Sequence, residues 1–198
     1  MMNESSFEVE VKIPIADPES IRASLLELGA VRGHKESQTD IYFGHPCRSF
    51  PETDEALRLR RREILSEAHH GNDDNRVQRH ELTYKGPKID PLSKTRVEVS
   101  LEFDDYPSAE RILTHLGFTK IVEIAKDRSF YEVREITVSV DDVSGVGSFL
   151  ELEQIVDDRT NIESVREEIF SVVKSLGLDP NQSIRTSYLE IYLEKNTI

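Results

Sequence analysis

The chain has 198 residues, of which 37% are hydrophobic and 32% charged, and its formal net charge is −13. That length suits one domain with a sizeable core, so the expected organisation is a single domain over residues 1–198. No apolar run approaches the ~18 residues of a membrane helix, the acidic total disfavours nucleic acid and anionic membranes as partners, and the lone Cys47 excludes an intrachain disulfide or cysteine-cluster metal site.

The polar start, Met1 to Ser6, leads straight into a strand pattern without a secretory signal, and the expected location is cytoplasmic. In the strand pattern from Phe7 to Ile13, side chains alternate between faces. Glu8, Glu10 and Lys12 share one face, and Phe7, Val9, Val11 and Ile13 the other. A helix follows, with Asp17 as N-cap, Pro18 at its first position, Ile21, Leu25 and Leu28 at helical spacing, and Gly29 as its stop. Residues 31–43 read as a strand ending in Asp40-Ile41-Tyr42-Phe43, and a loop runs through Pro46, Cys47 and Pro51.

Residues 56–62 alternate again, with Arg58, Arg60 and Arg62 opposite Leu57 and Leu59. The polar stretch from Ser66 to Arg76 reads as a long hairpin loop; its His69 and His70 could bind a metal only together with further convergent ligands. Residues 78–86 resume the strand pattern, placing Lys85 opposite Leu82 and Tyr84, and Lys88 to Pro91 reads as a flexible stretch. Another strand, Arg96 to Phe103, alternates Arg96, Glu98 and Glu102 with Val97, Val99, Leu101 and Phe103. Pro107 opens a second helix that stops at Gly117.

Two strands over 119–131 and 134–142 follow, with Lys126 and Arg128 sharing a face on the first and Thr137, Ser139 and Asp141 on the second. After a Gly145-Val146-Gly147 turn, Phe149-Leu150-Glu151-Leu152-Glu153 repeats the opening pattern of paired carboxylates. Thr160 and Glu163 have the spacing of a capping box, opening a long third helix with Ile162, Val165, Ile169, Val172 and Leu176 as its apolar stripe. A short helix over Ser187 to Leu193 finishes the chain.

About eight strands joined by tight turns favour an antiparallel sheet, and that number can close. A charged strand face ordinarily meets water. Here the amphipathic helices need an apolar surface, which the strands offer opposite their charges. The expected fold is therefore α+β, a closed eight-stranded antiparallel β-barrel with a charged interior and helices packed outside. Like charges at i and i+2 repel, so such faces call for ligands of opposite sign. Glu8, Glu10, Asp141, Glu151 and Glu153 suit Mg²⁺ or Mn²⁺, while Arg58, Arg60, Lys85, Lys126 and Arg128 suit phosphate oxygens. Together they describe a site for a metal-bound polyphosphate.

These motifs resemble the CYTH superfamily, the triphosphate tunnel metalloenzymes. The resemblance rests on an ordered series: Glu8-x-Glu10-x-Lys12, Asp40-Ile41-Tyr42-Phe43, Leu57-Arg58-Leu59-Arg60, Tyr84-Lys85-Gly86-Pro87, Arg96-x-Glu98, Lys126-x-Arg128, Asp141 with Gly145-x-Gly147, and Glu151-x-Glu153. It implies an eight-stranded tunnel in which Glu8, Glu10, Asp141, Glu151 and Glu153 bind the metal and Lys12, Arg58, Arg60, Lys85, Lys126 and Arg128 hold a triphosphate. Tyr42 matches a tyrosine that pairs with the motif lysine in some hydrolases, which makes Lys12 and Tyr42 the candidate catalytic pair. Arg96 and Glu98 match further tunnel positions without a fixed role. Gly44 stands where many members carry an acidic residue.

The chain looks most like the class IV adenylate cyclases, through Leu116-Gly117-Phe118, Asp127-Arg128-Ser129 and Ser187-Tyr188-Leu189-Glu190 as well as the motifs above. The activity this implies is conversion of ATP to cyclic AMP and pyrophosphate, with a homodimer as the expected assembly. Two alternatives stand beside it. One is hydrolysis of inorganic tripolyphosphate or thiamine triphosphate; the other is a non-catalytic binder of a phosphorylated ligand.

Overall fold

The computed structural model describes residues 7–65, 76–88, 96–156 and 159–196. Among them, the strands are β1 (Phe7–Ile15), β2 (Val31–Gly44), β3 (Ala56–Leu65), β4 (Arg76–Lys88), β5 (Arg96–Phe103), β6 (Thr119–Val133), β7 (Ile136–Val143) and β8 (Gly147–Val156). The helices are α1 (Pro18–Glu27), α2 (Phe50–Thr53), α3 (Tyr106–His115), α4 (Ile162–Ser175) and α5 (Tyr188–Asn196). No helix among the described residues is long and apolar enough to cross a membrane. The expected loop from Ser66 to Arg76, with His69 and His70, lies outside the described residues except for Arg76 at the start of β4.

The strands form one eight-stranded sheet in the order β1-β8-β7-β6-β2-β3-β4-β5. Pairing is antiparallel at β1–β8, β7–β8, β2–β3 and β3–β4. Among the described residues the ladder runs from β1 at one end to β5 at the other, so the sheet is open where a closed barrel was expected. At β1 the Lys12 carbonyl accepts a hydrogen bond of 2.8 Å from the Ile184 amide, an isolated bridge on that strand.

Two compact units share this sheet. Unit 1 comprises Met1–Gly33, Lys88–Arg96 and Arg128–Ile198, and unit 2 comprises His34–Pro87 and Val97–Asp127. In unit 1 the apolar faces of β1, β7 and β8, through Val9, Val11, Ile13, Val138, Val140, Leu150 and Leu152, meet Ile21 and Leu25 of α1 and Val165, Ile169, Val172 and Val173 of α4. In unit 2, Ile41, Phe43, Leu57 and Leu59 pack with Phe50 of α2 and Leu113 of α3. Burying each large side chain stabilises the fold by roughly 1.5–3 kcal/mol. The helices therefore cover the apolar faces of β1, β2, β3, β7 and β8, as the sequence predicts, with the charged faces opposite, whereas Val97, Val99 and Leu101 of β5 stay exposed.

Helix ends follow local chemistry. Asp17 and Asp105 cap α1 and α3, accepting from the Ser20 and Ser108 amides at 3.1 and 3.0 Å. The box expected at Thr160 and Glu163 is not what starts α4: a 3₁₀ turn over Arg159–Asn161 intervenes, and Asn161 stands at the N-cap without a side-chain cap bond. A reciprocal box forms instead at α5, where the Ser187 amide donates to Glu190 at 2.5 Å and the Glu190 amide donates to the Ser187 hydroxyl at 3.1 Å. The β7–β8 turn passes through Gly145 at φ 72°, a left-handed conformation that suits glycine, and a Cβ there would lie 3.5 Å from the Tyr192 ring of α5.

Candidate functional site

The charged faces are built by register. In unit 1, β1 and β8 align Lys12 with Glu151 and Glu10 with Glu153, and β7 and β8 align Ser139 with Glu151. Alternation then puts Glu8, Glu10, Lys12, Glu151, Glu153 and Asp141 on the face away from α1 and α4. At its centre lies a buried ion network. The Lys12 ammonium sits 2.9 Å from Glu151 with only 1% of its side chain exposed. Arg128 from β6 grips Asp141 with two bonds, at 2.7 and 2.5 Å, and also donates to Glu151. Burial opposes the Arg128 charge, yet Asp141 and Glu151 outweigh it and hold the guanidinium pKa well above its ordinary value.

Toward the start of β1 the balance turns negative. Glu153 faces Glu10 directly and is hydrogen-bonded with Glu8. Burial is the main cause that raises the Glu153 carboxyl pKa; Arg128 acts against it and Glu10 adds to it. This carboxylate chemistry fits a hard divalent cation, whose charge would relieve the crowding. Among the described residues, no group of three or more His, Cys, Asp or Glu donors is already converged for a metal. Asp141 and Glu151 are instead turned to Arg128 and Lys12.

In unit 2 the same alternation places Asp40 and Tyr42 of β2 across from Arg60 and Arg58 of β3, and Arg58 and Arg60 across from Thr83 and Glu81 of β4. Arg60 binds Asp40 through two bonds, at 2.6 and 2.7 Å. Arg58 donates to Glu81 at 2.8 Å and to Thr83 at 3.2 Å. Lys126 of β6 is buried and lies close enough to act on Asp40. Burial alone would push the Asp40 carboxyl up, but Arg60, Arg58 and Lys126 together hold it well below the usual carboxylate range. Lys85 donates to Glu98 at 2.5 Å. Arg96, at the start of β5 and assigned to unit 1, is buried.

The sequence-derived residues thus fall into two groups. Unit 1 brings together Glu8, Glu10, Lys12, Arg128, Asp141, Glu151 and Glu153; unit 2 brings together Asp40, Tyr42, Arg58, Arg60 and Lys126, and separately pairs Lys85 with Glu98. Tyr42 faces Arg58, and two aromatic rings lie over the Lys12 ammonium, Tyr188 with its centroid 3.6 Å away and Phe149 at 5.9 Å. The Tyr188 hydroxyl donates to Asp141 at 2.8 Å, so α5 begins on the charged face instead of packing with α1 and α4. Burial, followed by Glu151 and Asp141, holds the Tyr188 phenol well above its ordinary pKa.

Sequence reasoning gave no role to Tyr188, Glu36, Glu81 or the Asp40 carboxylate. Glu36, Gln38 and Asp40 share the parity of Tyr42, and Glu36 accepts from Gln38 at 2.6 Å. An acid of that parity beside an all-arginine strand was the available signal for Asp40. Tyr188 carried no such periodicity.

Comparison with known proteins follows the same lines. The CYTH domain family model matches residues 6–188. MJ0240 of Methanocaldococcus jannaschii, provisionally named an adenylate cyclase, is 40% identical over 184 residues, covering 93% of this chain and 97% of its own. The adenylate cyclase CyaB of Aeromonas hydrophila is 27% identical over 183 residues, covering 92% and 86% of the two chains. The solved structure of the PH1819 protein from Pyrococcus horikoshii OT3 superposes with a TM-score of 0.84 at 36% identity, covering 96% of this chain and 99% of that one. On the family match and the 40% identity across nearly the whole chain, this protein belongs to the CYTH family.

Proposed function

We propose that the protein is a metal-dependent adenylate cyclase that converts ATP to cyclic AMP and pyrophosphate. The observation that carries the reading is a set of buried ionised side chains on strand faces turned away from the helix-packed core, a costly arrangement unless the charges serve a charged ligand. The 40% identity to a relative provisionally named an adenylate cyclase supports the choice of substrate and product.

Glu8, Glu10, Asp141, Glu151 and Glu153 are the residues that would hold Mg²⁺ or Mn²⁺. Such an ion, when bound, neutralises phosphate charge and acidifies a nearby hydroxyl. Lys12, Arg58, Arg60, Lys85, Lys126 and Arg128 supply ammonium and guanidinium donors for phosphate oxygens. Tyr42, beside Arg58, is assigned to orient that cation, and Arg96 and Glu98 serve as supporting polar residues. In the reaction the ribose 3′-oxygen forms a bond to the α-phosphorus and gives up its proton to solvent water. The bond from that phosphorus to the β-phosphate oxygen breaks, and its electron pair leaves with pyrophosphate, whose developing charge the cations stabilise.

Chromatography of products after incubation with ATP and Mn²⁺ tests this directly. Cyclic AMP is the expected product. Release of orthophosphate from tripolyphosphate or thiamine triphosphate, with no cyclic AMP from ATP, would assign the protein to the hydrolases. Equal stabilisation by triphosphate with and without metal, and no turnover of any of the three, would make it a binder.

A further inference from the structure

The segment from Ile184 to Glu190 attaches twice to one residue of the opening motif. Its backbone reaches the Lys12 carbonyl through the Ile184 amide at 2.8 Å, and its first helical side chain, Tyr188, lays a ring over the Lys12 ammonium at 3.6 Å. The ring is itself fixed. Phe149 stands beside it with centroids 5.0 Å apart, and the hydroxyl is anchored on Asp141 at 2.8 Å. The reciprocal cap of Ser187 and Glu190 and the 3.3 Å contact from Lys88 to Glu190 hold the start of α5. Lys195 donates to the Val146 carbonyl at 2.5 Å and fastens its far end.

A lysine ammonium on a four-carbon stem has many rotamers, and a single ion pair such as that with Glu151 fixes its distance more than its direction. The aromatic face supplies a second, directional constraint, because the ring quadrupole attracts the cation along its normal. We propose that Tyr188 is a positioning residue, its ring fixing the Lys12 ammonium for a phosphate oxygen while its hydroxyl keeps Asp141 in the grip of Arg128. The inference rests on the reading of Lys12 as a triphosphate-holding residue, and is independent of which product is formed.

Equilibrium binding of α,β-methylene-ATP with Mg²⁺, a probe that cannot be cyclised, tests it in the full chain. Tyr188→Leu removes both contacts, Tyr188→Phe removes only the bond to Asp141, and pentafluorophenylalanine at position 188, which loses that bond as well, keeps the ring's shape while inverting its quadrupole, so that its reference is Tyr188→Phe. The last variant preserves packing, so the test survives if the leucine variant fails to fold. The expected result is a loss of affinity of about tenfold or more for the leucine and fluorinated proteins, the scale of a desolvated cation–π contact. Tyr188→Phe should stay within about threefold, as a single neutral donor would imply. With ATP, the ring-altering changes should raise KM more than they lower kcat, which loss of general packing would not select.

Lys12→Met separates the two ideas. If it loses affinity while the fluorinated protein binds like Tyr188→Phe, Tyr188 is not a positioning residue and the phosphate role of Lys12 stands. If Lys12→Met binds like the parent, that role falls and the inference with it. If Tyr188→Phe is as weak as Tyr188→Leu, the hydroxyl and not the ring is responsible, which also overturns the proposal.

Discussion

Each unit contains a buried arginine holding an aspartate through two bonds, Arg128 with Asp141 in unit 1 and Arg60 with Asp40 in unit 2. The pairs are alike in chemistry and opposite in surroundings. Arg128 has a second carboxylate, Glu151, and nearby Glu153 feels both Arg128 and Glu10. Asp40 has extra cations, Arg58 and Lys126. Around the first pair carboxylates outnumber cations, whereas around the second Arg58 and Lys126 act on Asp40 while Arg58 is also bonded to Glu81. In the proposed function the first surroundings would suit a metal ion and the second phosphate oxygens.

The sharpest way to break this contrast is to remove each arginine. Arg128→Met takes from Asp141 and Glu151 the buried guanidinium they share, with Lys12 still on Glu151 and the Tyr188 hydroxyl still on Asp141, and should cost about 3–5 kcal/mol in urea unfolding. Arg60→Met leaves Asp40 with Arg58 and Lys126 still at hand, so its cost should be smaller, about 1–3 kcal/mol. Equal losses would mean that the surroundings do not matter.

A pH series sharpens the Asp40 side. Its carboxyl pKa is depressed on folding, so its contribution to stability is complete above the unfolded carboxylate pKa of about 3.9 and fades as pH falls from there toward the lower folded value. The stability difference between wild type and Asp40→Asn should thus be constant from pH 7 down to about pH 5 and shrink below about pH 4. A difference that disappears near neutrality would contradict the assignment.

On the carboxylate side, Glu153→Gln removes one of two like charges that face each other across β1 and β8. Without metal it should raise stability by about 0.5–1 kcal/mol, by relief of cross-strand repulsion. In the proposed reaction it should also increase the Mn²⁺ concentration needed for half-maximal turnover. The smallest effect belongs to the control: Glu168→Gln, which loses only the exposed contact with Arg134 at 3.3 Å, should change stability by no more than about 0.5 kcal/mol.

The sequence disclosed the strand faces because a period of two is a local signal: Glu8, Glu10 and Lys12 alternate with core residues whatever pairs beside them. The same logic found Arg58 and Arg60, Lys126 and Arg128, and the pair Glu151 and Glu153. Pairing partners were not local. Nothing in the opening motif shows that Glu151 would be the carboxylate facing Lys12, or that Glu10 would face Glu153. That the sheet would be open also escaped, since side-chain alternation along a strand is the same in an open and a closed sheet. Tyr188 was hidden for a related reason: the spacing of Ser187 and Glu190 marks a helix start, but not the surface on which that helix begins.

The most direct measurement of the central claim is phosphorus-31 NMR of ATP incubated with the wild-type protein and Mg²⁺. The account predicts cyclic AMP and pyrophosphate appearing in equal amounts, with no orthophosphate at early times. Orthophosphate with ADP, or tripolyphosphate cleaved while ATP yields no cyclic AMP, would contradict it.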